Sequence, residues 1–495
     1  MRQKLQRWSI IILLSLRLWT GLIEPAQASN GLSPPNQRHI LERLSFGVTS
    51  AQTKLVNEIG IEAYIQSQLS PQLVPESAIV NDYLATFSSI HQQPIELQKQ
   101  DIAIRKKLRN SKLSIKQKKK LRREIGSLNA QARDEAMDAH LVRAIYSNRQ
   151  LQEVMVDFWF NHFNVYAEKG SVELWLSDYE NKIRTHALGN FRDLLIATAK
   201  HPAMLIYLDN RKNTDPNSPG GKKNQLGLNE NYARELMELH TLGVNAGYSQ
   251  DDVIALARIL TGWGINTRGN KSDGQGFSYY DNRHDQEDKL FLGQKISANG
   301  MKEGEQAIDI LVKHPATAHF ISYKLAQYFV ADRPPNSLVD KLSQEFGETN
   351  GNIKLVLNAL IHSEEFNSPE YYKQKFKTPY QYVISLVRMG EIEQPNLKRV
   401  RGMLEQLSMP LYMCLAPTGY QNIQEAWLNP QAMLQRTGLA TAIANGTLNR
   451  SYLIEQKQLT RNFGELSSNT KQVVTKSPRK LRSALIMGSP ESMYR

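Results

Sequence analysis

One cysteine, Cys414, is all that a chain of 495 residues contains. No intramolecular disulfide can close, and no cysteine-rich zinc cluster can form. The linear signatures of familiar chemistry are also missing. There is no His-Glu-x-x-His, no Gly-x-Ser-x-Gly, no phosphate-binding P-loop, no dinucleotide fingerprint and no EF-hand loop. A nucleotide cofactor is therefore not expected, and any catalytic site must be assembled without a linear motif. Past the N-terminus no run approaches the about 18 consecutive apolar residues of a membrane-spanning helix, so an integral membrane protein is not expected. Strand-like alternation is scarce too. Asn30-Gly31 and Asp273-Gly274 lack alternating apolar runs on both sides and read as loops.

What is present is an ordinary globular composition, 41% hydrophobic and 22% charged, at a length that allows sizeable cores. Helix punctuation dominates. The expected class is all-α, either one large multi-helical domain or two closely packed helical subdomains, with long loops. The formal net charge of +13 suggests nucleic acid, but its distribution argues against that partner. Eleven Lys and Arg crowd into residues 101–125 against Asp101 and Glu124, instead of striping a fold. The residues around this cluster, 95–125, read as an exposed helical hairpin, broken at Asn110 and Ser111. Ser114 and Gln117 form a capping box for its second helix. Such an arm suits an anionic lipid or surface polymer, although it has no aromatics for stacking on bases.

The N-terminus has the pattern of a secretory signal peptide spanning residues 1–28. Arg2, Lys4 and Arg7 precede an apolar stretch from Ile10 to Leu16, and Ala26-Gln27-Ala28 supplies a small-x-small cleavage site. Export to the periplasm or beyond, with cleavage near Ala28, is the expectation. The rest divides into an N-terminal helical region (29–208), a linker rich in Asn, Pro, Gly and Lys (209–228), a central helical region (229–436) and a C-terminal region (437–495).

The densest chemistry lies in 229–263. A helix is expected from about Glu230 to Thr241, stopped by Gly243. Helical spacing puts Asn231, Arg234, Glu235 and Glu238 on one stripe of it. The rest of its surface is mostly apolar, which predicts a buried helix whose carboxylates need partners. Arg234 can pair with Glu238. Glu235 is then left looking for a cation, a metal or a proton, and Arg258 on the following helix, which starts at Ser249 with Asp252 at the third position, could answer it. His240 falls on the opposite side from the carboxylates. His162, in an aromatic run from Phe158 to Phe163, reads as a hydrogen-bonded core histidine. His284-Asp285 is the best loop candidate. His314-Pro315 reads as a helix start. Candidates for catalysis are thus Glu235, Glu238, His284 and Asp285, with Asn231, Arg234, His240, Arg258 and His162 as a binding or structural network. A divalent metal, if one is bound, would draw on Glu235, Glu238, His162, His284 and Asp285.

Taken in order, several motifs resemble the bacterial domain-of-unknown-function 1800 family. They are His39 to Gly47, Phe158-Trp159 to His162-Phe163, NENYARELMELHTLGV at 229–244, Leu260-Thr261-Gly262-Trp263, His284-Asp285 with Lys289, His314-Pro315-Ala316-Thr317-Ala318, Lys377-Thr378-Pro379, Gly419-Tyr420 and Ala426 to Pro430. The likeness spans nearly the whole mature chain, and Ser492 stands where a Phe is typical. It implies a large exported helical protein with no established activity. Genes of that family often neighbour those of exported proteins similar to sulfatases and phosphatases. That neighbourhood suggests a partner or a shared pathway, and with the missing catalytic signatures and the helical architecture it favours a non-catalytic accessory protein at the cell envelope. The residues leave two other readings: a hydrolase with a carboxylate and histidine site, and a binder of an anionic surface polymer through 101–125.

Overall fold

Helices carry almost the whole architecture of the computed structural model, which describes residues 34–266, 276–452 and 454–495. The signal-peptide stretch lies outside these residues, as does the loop containing Asp273-Gly274. The fold is all-α, and residues 39–495 form one compact unit. Among the described residues no helix is long and apolar enough to cross a membrane.

Nine helices build the basic arm and the core beside it: α1 (Pro94–Leu108), α2 (Ile115–Tyr146), α3 (Gln150–His162), α4 (Leu176–His186), α5 (Asn231–Glu235), α6 (Gln250–Ile259), α7 (Met301–Lys313), α8 (Pro315–Phe329) and α9 (Pro379–Met389). Helices α1 and α2 make the expected hairpin, and Ser114 and Gln117 form the capping box at the start of α2. The eleven arm cations are exposed, Lys118 only partly. From Asn129 onward α2 enters the core, where Leu141 and Val142 are fully buried. It packs there on α4 and α9. Helix α9 starts at a Thr378/Gln381 capping box, and all eleven of its residues are buried. It therefore forms the axis around which α2 and the C-terminal helices gather.

Three sequence expectations are corrected. The segment 209–228 is not a loose linker. Its Asn210, Asn213 and Thr214 are completely buried. Asn213 donates to Ala257 O at 2.7 Å and accepts from Asn229 N at 2.9 Å. Polar side chains that look like linker composition here replace missing backbone hydrogen bonds. The helix expected over 230–241 is α-helical only as α5, and continues as a π-helix over Leu236–Thr241. Thr241 Oγ1 donates to Leu236 O at 2.7 Å, and Leu242 N to Met237 O at 2.8 Å, each reaching five residues back. Finally, the region after α6 holds two short antiparallel ribbons, β1 (Trp263–Ile265) with β2 (Phe277–Tyr279) and β3 (Lys289–Phe291) with β4 (Gln294–Ile296). Three-residue strands are too short to show alternation in sequence.

Candidate functional site

The stripe on α5 and the π-helix points outward. Tyr232, Ala233, Leu236 and Met237 are buried, whereas Arg234, Glu235 and Glu238 are half-exposed. Arg234 Nη1 lies 3.4 Å from Glu238 Oε1, and Arg234 Nη2 is 3.3 Å from Glu230 Oε2 and 2.8 Å from Gln250 Oε1. Asn231 donates to Leu208 O at 3.2 Å. Glu235 has no hydrogen-bond donor among the described residues, and burial together with Glu238 raises its pKa. Arg258 does not answer it. That guanidinium binds Asp285 Oδ2 at 2.6 Å and Glu287 Oε2 at 2.5 Å, because α6 turns its C-terminal end toward the loop before β3.

His284 and Asp285 belong to a sealed network. His284 Nε2 meets Glu303 Oε1 at 3.0 Å, and His284 Nδ1 lies 2.9 Å from Thr261 O. Glu303, the third residue of α7, also accepts from Asn299 N at 2.7 Å, Gly300 N at 3.0 Å and Lys289 Nζ at 2.7 Å. His284 and Glu303 have no exposed side-chain surface, and every donor and acceptor here is used. Such an arrangement holds a loop to a helix and leaves nothing for a ligand. Among the described residues, no group of three or more His, Cys, Asp or Glu is placed to hold a metal ion. The five proposed ligands are divided among the outward stripe, this network and the aromatic core.

Of the sequence candidates, His162 lines a cavity of about 380 Å³. That volume falls within the usual range for small-molecule sites. His162 Nε2 donates to His240 O at 3.1 Å, and burial, with His240 beside it, holds its pKa well below the usual range. Burial likewise pushes His240 down to about 3. Burial thus disfavours the charged form of both rings, and of the two it is His162 that lines the cavity. The adjoining wall residue, Leu239, comes from the π-helix, a feature that often marks functional sites.

Asp157, from α3, lines the same cavity. Tyr328 Oη from α8 donates to Asp157 Oδ2 at 3.2 Å, and no cation lies within ion-pair distance among the described residues. Burial raises its pKa to about 6, against the opposing effects of His140 and Tyr328. A lysine, Lys324, stands in the same wall with its ammonium 5.7 Å from the Phe320 ring centre, and burial lowers its pKa.

Asp157 also borders a smaller chamber of about 40 Å³, which shares Asn161, Met409 and Tyr420 with the larger cavity. Its other walls include His140 from α2, Tyr380 from α9 and Tyr412. The Nδ1 of His140 is 2.9 Å from Glu180 Oε2 on α4, and Tyr412 Oη donates to the same oxygen. Arg184 Nη2 donates to Glu180 Oε1 at 2.5 Å and clamps Glu153 through two bonds of 2.9 and 2.8 Å. Burial works to raise the Glu180 pKa, but His140 and Arg184 hold it well below the carboxylate range. Burial likewise opposes protonation of His140, yet Glu180 wins and the imidazole pKa is raised. Two of the residues that line it carry a buried atom with no hydrogen-bond partner among the described residues, His140 Nε2 and Tyr380 Oη.

A distant loop closes the wall. Asn161 Nδ2 donates to Tyr420 O, and Tyr420 N donates to Asn161 Oδ1, both at 2.7 Å. This clasp needs Gly419. Its φ is +69°, and a Cβ there would lie 2.2 Å from Asn161 O.

Sequence reasoning named His162 but missed Asp157, His140, Glu180 and Lys324. A signal was present. Gln152, Glu153 and Asp157 interrupt an otherwise apolar run, LQEVMVDFWF, and a buried carboxylate in such a helix needs a purpose.

No curated protein and no solved structure matches this chain. A family model described as a protein of unknown function, DUF1800, matches residues 39–494. His140, Asp157, Glu180 and the Gly419 clasp all fall inside that span, which covers nearly the whole sequence, and the chain belongs to this family.

Proposed function

We propose that the Asp157 cavity is a small-molecule acid/base site and that the protein is an enzyme of hydrolase type. The observation that carries this reading is a carboxyl group on a cavity wall, with no ion pair among the described residues although His140 and Arg495 both act on it, beside a histidine held by a buried glutamate. Paired groups of this kind supply general acid/base catalysis. Above pH about 6 Asp157 is a carboxylate and accepts a proton. His140, its pKa raised by Glu180, stays an imidazolium past that point and donates one. The active form therefore exists in the window between the two, and the pH profile is bell-shaped with apparent values belonging to the pair.

The test is turnover of a panel of aryl esters, phosphates, sulfates and glycosides by the mature chain and by Asp157→Asn. Wild type should release arylate from at least one class. Asp157→Asn should lose about 10²-fold or more with its melting temperature unreduced. Equal turnover by the variant, or none by wild type, would end the catalytic reading.

The accessory reading keeps one observation in its favour. The arm cations are exposed, and among them Arg105 alone makes an ion pair among the described residues, with Asp101 at 2.6 Å. In that reading the chain is exported after cleavage near Ala28, and the arm holds it against an anionic surface polymer or a sulfatase/phosphatase-like exported protein. Deleting 101–125 should then release it from the envelope, with a steep dependence on salt. Unchanged association would remove this role.

A further inference from the structure

We propose that Lys324 selects the ligand of the larger cavity, and that this ligand is a small organic anion whose carboxylate, sulfate or phosphate group sits against the ammonium. This rests on the reading of the cavity as a small-molecule site and names the class of molecule it takes.

The argument begins with a cation that nothing answers. Lys324 stands on α8 and is only partly exposed. Its ammonium carries N–H donors and no acceptor, yet among the described residues it makes no hydrogen bond and no ion pair. Its contact is with the Phe320 ring, whose centre is 5.7 Å away, and a ring face meets only one side of an ammonium. Burial alone lowers the Lys324 pKa, with no carboxylate acting to raise it. A charge drawn out of water without a counter-charge is unfavourable, and an arriving anion relieves that. The nitrogen also keeps accessible surface, unlike the sealed Nε2 of His140.

The placement follows from two helices that face each other along the cavity. The rings of Phe158 on α3 and Tyr328 on α8 are 5.3 Å apart, and those of His162 and Phe320 are 6.2 Å apart. All four residues line the cavity. Lys324 is one helical turn, about 6 Å of rise, from both Phe320 and Tyr328. Helical side chains lean toward the N-terminus, so the ammonium reaches toward Phe320 and away from Tyr328, whose Oη holds Asp157. Among the described residues that line the cavity, Lys324 is the one Lys or Arg and Asp157 the one carboxylate, and the two do not pair. An anion is therefore drawn to the Lys324 end and repelled from the Asp157 end. The charge of the ligand lies several bonds from the part that reaches Asp157, and the aromatic walls take the apolar body between them. A phosphate or sulfate is recognised at Lys324, not attacked there.

Calorimetric titration of the purified protein with benzoate, phenyl phosphate, phenyl sulfate and neutral benzamide tests this. At least one anion should bind about tenfold or more tightly than benzamide, as expected for a charge-assisted hydrogen bond. The anion that binds most tightly tells carboxylate from phosphate and sulfate. Lys324→Met keeps an apolar chain without the charge, and should bring that anion to within about twofold of benzamide with the melting temperature unreduced. Lys324→Arg should keep a preference for the anion. Binding of no anion, equal binding of benzamide, or a preference that survives Lys324→Met overturns the inference. So does a Lys324→Met protein that melts early and loses anion and benzamide alike, since the lysine is then structural. The wild-type comparison of anion with benzamide needs no variant. Anion binding that depends on Lys324 in a protein that turns over nothing ends the catalytic reading and supports this one, whereas an active enzyme without the preference removes this inference alone.

Discussion

Two buried histidine–glutamate pairs lie in one molecule and have opposite fates. In His284–Glu303 every polar atom has a partner, Lys289 neutralises the charge, and neither side chain has any exposed surface. In His140–Glu180 the glutamate is just as well held, but the far nitrogen of the imidazole has no partner among the described residues, and Asp157, which lines the same small chamber, makes no ion pair there. The chemistry of the side chains is the same. The difference lies in what has been left unmet, and an unmet buried donor is tolerated only where something else arrives to meet it.

Breaking the two pairs should therefore give different signatures. The largest effect belongs to Glu303→Gln. It leaves Lys289, which has no exposure, with only the longer 3.5 Å pair to Asp285 and should cost up to about 3–5 kcal/mol of unfolding free energy, read by urea titration, with cavity chemistry affected only through stability. Asp157→Asn should show the converse in the same titration, with no loss of stability, because it removes a carboxyl whose ionised form burial opposes.

Next is Gly419→Ala. The added Cβ meets Asn161 O in a left-handed backbone, so the clasp opens at a cost of about 1–3 kcal/mol. Proteolysis should then cut first near Tyr420.

The acid limb sharpens the comparison further. Glu180 has a folded pKa well below its unfolded value, so its stabilisation is complete above about 4.5 and is lost as pH falls toward the folded value. Unfolding in acid should lose that slope in Glu180→Gln.

The smallest effect is expected from Glu235→Gln and Glu238→Gln. Both side chains are half-exposed, and each variant should stay within about 0.5 kcal/mol of wild type. That differs from the destabilisation which a buried stripe would predict.

Local rules were legible in the sequence where they act over three or four residues. The capping boxes at Ser114 and Ser249 and the His314 cap before Pro315 all stand where side-chain type and spacing place them. The all-α class followed from the same punctuation. The stripe on α5 was misread as buried because its apolar residues cover so much of the circumference. The π-helix gives no separate signal, since the same residues support either winding. The cavity was invisible for a different reason. His140, Asp157, Glu180 and Tyr380 come from four helices, and no spacing rule links positions that only packing brings together. His162, though named, serves the wall and keeps its ring neutral.

The Asn161–Tyr420 clasp joins residues 259 positions apart, and that separation matters for the order of synthesis. By the time the ribosome has made residue 180, the polypeptide already contains His140, Asp157 and Glu180. Tyr380 and the stretch that walls the cavity emerge only after another two hundred or so residues have been added, on the order of ten to forty seconds later at about 5–20 residues per second. Through that interval a set of charged groups destined for the interior waits without its cover. The cavity wall cannot close before the final quarter of the chain is made, and arrest of translation before Gly419 should leave a species that lacks the Asn161–Tyr420 clasp.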